Sequence, residues 1–86
     1  MNFHLTDSFL KQAKKFCKKD PQFKSSLAKQ FAIFQENHQH PSLKLHKLKG
    51  KRSEQYAIWI KGDLRALSIK NDEMYIFFDL VTHDQY

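Results

Sequence analysis

The chain has 86 residues, 41% of them hydrophobic, including eight Phe, three Tyr and one Trp but only two Gly and two Pro. This length and composition exclude a multidomain protein and a disordered chain, and they predict one small folded domain over residues 1–86. The formal net charge is +6 at pH 7. A surface of this sign attracts a polyanion such as RNA or DNA, or an acidic protein.

The positive charge is concentrated in the first three quarters of the chain. Residues 1–62 contain thirteen Lys or Arg and four Asp or Glu, a balance of +9, whereas residues 63–86 have a balance of −3. The single cysteine, Cys17, excludes an internal disulfide and fits a reducing compartment, so we expect a cytoplasmic protein. No segment has the pattern of a signal peptide or a membrane span, and we expect no membrane partner.

The first predicted elements are a short strand and two helices. Polar and apolar residues alternate in "NFHL", as in a strand, and Thr6 or Asp7 can cap the helix that follows. That helix has one apolar side and one lysine side. The pair Asp20-Pro21 predicts the start of a second helix, which runs to about Asn37.

The second half of the chain is rich in β-branched and aromatic residues. The segments "QYAIWI", "LRALSI" and "MYIFFDLV" are separated by turn signals at 61–63 and 70–73, which predicts an antiparallel meander. Trp59, in mid-strand, is expected in the core. The complete order predicts an α+β fold, β-α-α-β-β-β with room for one more strand, in which a helical hairpin packs on one face of an antiparallel sheet.

The segment "HPSLKLHKLKGKR", residues 40–52, contains two histidines and five cations but no acidic residue. Its cations are suited to the phosphates of an RNA backbone, which they would bind without choosing a sequence: Lys44, Lys47, Lys49, Lys51 and Arg52. His38, His40 and His46 have no cysteine partner and no zinc-site spacing. We therefore expect no metal ion and no cofactor.

Three segments together resemble the RelE/ParE toxin superfamily of bacterial toxin–antitoxin modules: "LHKLKG" (45–50), "YAIWIKGDLRALSI" (56–69) and "DLVTHDQY" (79–86). The resemblance extends over essentially the whole chain and implies a RelE-like fold. RelE-like members are mRNA interferases, typically acting on the ribosome, whereas ParE-like members poison DNA gyrase. In both groups a cognate antitoxin neutralises the toxin.

The similarity to histidine-using, RelE/YafQ-like interferases implies a catalytic set. It assigns His83 as the leading acid–base group and His46 as its complement, because imidazole is populated in both protonation forms near neutral pH. It also implies that Asp63 orients a base and that Arg65 holds the scissile phosphate. Tyr86 is a candidate for stacking on a base, and Trp59 is the alternative to it if its ring is exposed rather than in the core. The implied reaction is a metal-free attack of the ribose 2′-hydroxyl on the neighbouring phosphate.

The sequence leaves three functions open. The histidine pair favours an endoribonuclease toxin, since gyrase poisoning gives no reason for histidines at these positions. A ParE-like gyrase inhibitor is the first alternative. The second is a catalytically inactive relative that binds RNA or an antitoxin, because Trp59 stands where the histidine-using branch often has a further histidine. The expected partners are mRNA, the ribosome and a small antitoxin with an acidic or amphipathic segment.

Overall fold

The computed structural model describes residues 1–82. Its helices and strands, in chain order, are β1 (Asn2–Leu5), α1 (Asp7–Lys19), α2 (Pro21–Glu36), β2 (His46–Lys47), β3 (Gln55–Lys61), β4 (Leu64–Asn71) and β5 (Met74–Thr82). Two 3-10 turns flank β2, at Pro41–Leu43 and Gly50–Arg52. This order confirms the predicted α+β fold, including the additional strand.

Both helices begin at the residues that their sequence signals indicate. The hydroxyl of Thr6 accepts a hydrogen bond from the Phe9 amide at 3.2 Å, so Thr6 caps α1. The Asp20 carboxylate accepts one from the Gln22 amide at 3.0 Å and caps α2. Such caps satisfy amide donors that have no partner inside the helix.

The five strands form one sheet in the order β1-β5-β4-β3-β2. Strands β2 to β5 pair antiparallel, as predicted. Strand β1 instead runs parallel to β5, with Phe3 opposite Tyr75. Parallel neighbours need a long crossover connection, and here the helical hairpin and the meander supply it. The two edges of the sheet are therefore β1 and β2.

The main core lies between the helical hairpin and one face of the sheet. Phe9, Phe23, Phe34 and Phe77 are completely buried there. The ring centroids of Phe31 and Phe77 are 4.8 Å apart with the rings nearly perpendicular, which is a favourable aromatic geometry. Burial of these rings explains why so small a chain can fold.

The other face of the sheet is not covered by the helices. A smaller apolar cluster lies on it, formed by Leu48, Ala57, Leu67 and Val81 with the partly buried Phe78 packed against them. His46 lies opposite Ala57 of this cluster. None of the helices in residues 1–82 is long and apolar enough to cross a membrane.

Candidate functional site

His46 lies at the β2 edge of the sheet, opposite Ala57 of β3. Its side chain is exposed, and its Nδ1 atom is 2.8 Å from the backbone carbonyl oxygen of Lys44. A carbonyl oxygen can only accept a hydrogen bond, so Nδ1 of a neutral His46 carries the proton. The lone pair of that ring is then on Nε2, which is the nitrogen able to take a proton from another molecule.

The Lys44 carbonyl reaches His46 because of an unusual backbone conformation. Lys44 follows the 3-10 turn Pro41–Leu43 and has φ 50° and ψ 39°, in the left-handed region. This region is sterically disfavoured for a residue with a β-carbon. The Nζ atom of Lys44 lies 5.5 Å from the centroid of the Trp59 ring, a cation–π contact that connects this segment to β3.

A shallow hollow of about 300 Å³ lies beside His46, lined by His46, Lys47, Leu48, Lys49 and Arg52. Three of these five side chains are cations. The Arg52 guanidinium donates a hydrogen bond to Gln55 Oε1 at 3.2 Å, which fixes one wall. Lys51 is exposed in the adjoining 3-10 turn. The hollow therefore places positive charge beside the His46 imidazole.

Trp59 and Arg65 lie opposite each other on β3 and β4. The indole Nε1 donates to the carbonyl oxygen of Gly62 at 2.7 Å, and the Arg65 guanidinium donates to the same oxygen at 3.2 Å. Gly62 has φ +56°, which glycine adopts readily in a tight turn. The turn thus holds both side chains at one end of the sheet.

The expectation that Trp59 is a core residue is wrong. Its ring is partly exposed, because Trp59 lies on the helix-free face while its neighbours Ile58 and Ile60 are buried in the main core. Successive side chains of a strand point to opposite faces of the sheet, which explains the difference in burial. A partly exposed indole beside a lysine is available to contact a ligand.

The structure brings some of the predicted catalytic residues together. His46 and Arg65 share the helix-free face, two strands and two residues apart, which is about 12 Å between their Cα atoms at standard strand spacings. Asp63 is exposed in the β3–β4 turn, and within residues 1–82 no hydrogen bond joins it to His46. Strand β5 ends at Thr82, opposite Leu64. His83 and Tyr86 lie outside the described residues.

The other two loop histidines have structural contacts. His40 Nδ1 accepts a hydrogen bond from the Ser42 amide at 3.1 Å and so caps the 3-10 turn. The His38 ring packs against Phe34 and Tyr75, with centroids 6.0 Å from each. In the part of the chain that the structure describes, no three His, Cys, Asp or Glu side chains lie close enough to hold one metal ion.

One residue that the sequence reasoning missed also lies at this site. Gln30 of α2 is only 3% exposed, and its side-chain amide donates to the carbonyl oxygens of Trp59 and Ser42. A signal for it was present, since Gln30 stands on the apolar stripe of α2 between Leu27 and Phe34. A polar residue at such a position needs buried partners.

Solved structures of bacterial toxins have the same fold. A mutant toxin from Helicobacter pylori, in a copper-bound form, matches with a TM-score of 0.75 and 23% identity over 99% of this chain and 97% of that one. YafQ from Escherichia coli matches with a TM-score of 0.73 and 14% identity over 98% and 94%. YoeB in a YoeB–YefM complex from Staphylococcus aureus matches with a TM-score of 0.73 and 15% identity over 96% and 97%.

These likenesses extend over nearly the full length of both chains and establish that this protein has the fold of these bacterial toxins. YafQ is also the toxin chain of an E. coli DinJ–YafQ toxin–antitoxin complex with this fold. No protein-family model matches the sequence, and no curated protein is significantly similar to it.

Proposed function

We propose that this chain is the toxin of a type II toxin–antitoxin module and that it is an endoribonuclease, cleaving mRNA on the ribosome without a metal ion. One observation carries the catalytic part of the proposal: the Nδ1 atom of His46 contacts a carbonyl oxygen, which leaves Nε2 to act as the base, and His46 lines a cationic hollow. The fold shared with bacterial toxins supports the class of protein.

In the proposed reaction, His46 Nε2 takes the proton from a ribose 2′-hydroxyl. The resulting oxygen attacks the adjacent phosphorus, the new O2′–P bond forms, and the P–O5′ bond breaks. His83 donates the proton that the departing 5′ oxygen needs, which leaves a 2′,3′-cyclic phosphate and a 5′-hydroxyl. General acid–base terms of this kind typically contribute about 10²–10⁴-fold each. Asp63 is assigned an orienting role.

Charge stabilisation in this proposal comes from Arg65 and the cations around the hollow. The guanidinium of Arg65 has five N–H donors, of which those on one terminal nitrogen contact the carbonyl oxygens of Gly62 and Leu64. Its remaining donors can hold a phosphate oxygen as charge develops. Lys44, Lys47, Lys49, Lys51 and Arg52 bind the flanking RNA backbone, and Tyr86 stacks on a base.

The proposed partner is a small antitoxin with an acidic or amphipathic segment. Such a segment would cover the cationic hollow, block His46 and become ordered on binding. Because mRNA is the substrate, the proposed place of action is the cytoplasm. Charge complementarity supports this partner, since the hollow presents Lys47, Lys49 and Arg52 together.

The test is a primer-extension map of mRNA 5′ ends after induced expression, with and without translation. New ends are expected in the wild type, and His46→Ala and His83→Ala should each reduce them by about 10²-fold or more. His4→Ala is the matched control, because His4 is an exposed histidine on β1, the opposite edge of the sheet. It should cleave like the wild type.

Two outcomes would overturn the nuclease assignment. Intact mRNA together with DNA damage and filamentation would identify a gyrase inhibitor of the ParE type. RNA binding with a steep salt dependence but no cleavage product would identify an inactive relative. Activity that persists in a chelator would support proton transfer by side chains.

A further inference from the structure

Gln30 is one of two buried polar residues within residues 1–82, the other being Ser68. Its Nε2 atom donates to the carbonyl oxygen of Trp59 at 2.8 Å and to that of Ser42 at 3.2 Å, so both N–H bonds of the amide have partners. A buried amide is costly unless it is hydrogen-bonded, and an apolar residue in its place would leave these two carbonyl oxygens without the amide donor. The segments to which these two carbonyl groups belong therefore indicate the role of Gln30.

The two carbonyls belong to the two segments that build the candidate site. Ser42 is in the 3-10 turn immediately before Lys44, whose carbonyl contacts His46. Trp59 is on β3, and its ring lies under the Lys44 ammonium. Gln30 thus connects α2, on the helix side of the sheet, to the loop that carries Lys44 and to the strand that carries Trp59.

The burial of Leu43 in the main core and the His40 cap also restrain this loop, but its pairing with the sheet is short. Strand β2 has only two residues, so its ladder pairs only His46 with Ala57 and Lys47 with Tyr56. The left-handed conformation of Lys44 is disfavoured and persists only where the surroundings enforce it. The Gln30 hydrogen bond fixes the backbone two residues before Lys44. Without it, we expect the Lys44 carbonyl to turn away from His46 Nδ1 more readily.

We propose that Gln30 is a positioning residue: by holding Ser42 and Trp59 together it keeps the Lys44 carbonyl on His46 Nδ1 and so keeps Nε2 as the nitrogen that can take a proton. The effect on catalysis rests on the proposed ribonuclease function. The effect on the His46 ring does not, and it can be measured by itself.

The test compares Gln30→Met, which keeps the length of the side chain and removes both donors, with the wild type. Long-range ¹H–¹⁵N spectra of the imidazole should show a single Nδ1-protonated tautomer for His46 in the wild type and a mixture of tautomers in the variant. For RNA cleavage, kcat should fall by about tenfold or more while KM stays within about twofold, because misplacement affects the reacting geometry more than binding.

Gln12→Met is the matched control. Gln12 also reaches from a helix to the sheet, with Nε2 donating to Asp79 and Oε1 accepting from the Leu80 amide, but its partners are on β5. It should leave the His46 tautomer unchanged while lowering thermal stability. Gln30→Leu gives a second, apolar variant if Gln30→Met does not fold.

Unchanged His46 ring shifts in a folded Gln30 variant would overturn the inference, whatever happens to cleavage. The same shift change in Gln12→Met would also overturn it, because the effect would then be a general loss of stability. If the wild type does not cleave RNA, the proposed function fails, and the tautomer comparison still decides whether Gln30 positions His46.

Discussion

The ammonium of Lys61 donates a hydrogen bond to the carboxylate of Asp20 at 2.5 Å. This contact connects the end of β3 to the joint between α1 and α2, because Asp20 is also the N-cap of α2. The turn that holds Trp59 and Arg65 begins at the next residue. The position of that turn relative to the helices therefore depends in part on one partly exposed ion pair.

The first prediction concerns the pH dependence of this ion pair. The hydrogen bond from Lys61, opposed by desolvation, holds the pKa of Asp20 below its usual value of 3.8. A lowered pKa in the folded state means that the stabilisation is complete above pH 3.8 and is lost as the pH falls through the lowered value. Asp20→Asn should lower the melting temperature at pH 7 and have no effect at a pH where the wild-type carboxyl is protonated.

Asparagine is as good an N-cap as aspartate, so this variant isolates the charge. Asp72→Asn serves as the control, because Asp72 is exposed in a left-handed turn position that asparagine tolerates. Thermal unfolding of both variants across the pH range is the measurement. An equal loss of stability by Asp20→Asn at every pH would show that the ion pair contributes nothing.

Most of the fold could be predicted because its signals are local. The apolar spacing of α1 and α2, the Asp20-Pro21 start and the period-2 strands each reflect contacts within a few residues. Strand β2 has no such signal, because two residues cannot show a period and their extended conformation comes from pairing with β3. The parallel pairing of β1 with β5 joins the two ends of the chain and has no local signature.

The composition of the candidate site could be read from the sequence, but its geometry could not. His46 was named from the family resemblance, and the cations of residues 44–52 from their charge. The tautomer of His46 could not be predicted, because it depends on the left-handed backbone of Lys44. Trp59 was assigned to the wrong environment, since an apolar strand does not say which of its faces the helices cover. Gln30 could be noticed only as a polar residue on an apolar stripe.

A second prediction concerns the main core. Phe34 is completely buried, with its ring centroid 5.4 Å from that of Phe77 and 5.2 Å from that of Tyr75. Phe34→Ala should lower the free energy of unfolding by about 3–5 kcal/mol, since it removes buried apolar area and leaves a cavity. Leu10→Ala, at a site 49% exposed, should change it by no more than about 0.5 kcal/mol. The measurement is urea unfolding of the wild type, Phe34→Ala and Leu10→Ala. Equal unfolding midpoints for these three proteins would contradict the assignment of Phe34 to the core.

A third prediction concerns alkaline pH. Burial raises the pKa of the Tyr75 phenol above its usual value of 10.0, with a smaller contribution from Tyr56. The unfolded chain therefore loses this proton first, and stability is complete below pH 10.0 and falls as the pH rises towards the raised value. Tyr75→Phe should remove this part of the alkaline destabilisation and the last phenolate to appear in an ultraviolet titration. Tyr56→Phe should retain the alkaline destabilisation and the late phenolate. A late phenolate that survives in Tyr75→Phe would refute the assignment of the raised pKa to Tyr75.

A fourth prediction concerns the cationic hollow and its proposed RNA ligand. Each phosphate contact with single-stranded RNA contributes a slope of about −0.7 to a plot of log K against log salt concentration. Lys49→Ala and Arg52→Ala should therefore each reduce the slope by about 0.7, with similar losses for RNAs of different sequence, because phosphate contacts do not read bases.

Lys29→Ala is the matched control for these variants, since Lys29 is an exposed lysine of α2, on the helix side of the sheet. Lys29→Ala removes one positive charge, as the other two variants do, so it shows how the salt slope responds to net charge alone. A slope that falls equally in all three variants would mean that RNA responds to overall charge rather than to the hollow. A smaller slope in Lys49→Ala and Arg52→Ala alone would place the RNA backbone beside His46, where the proposed base must meet its ribose.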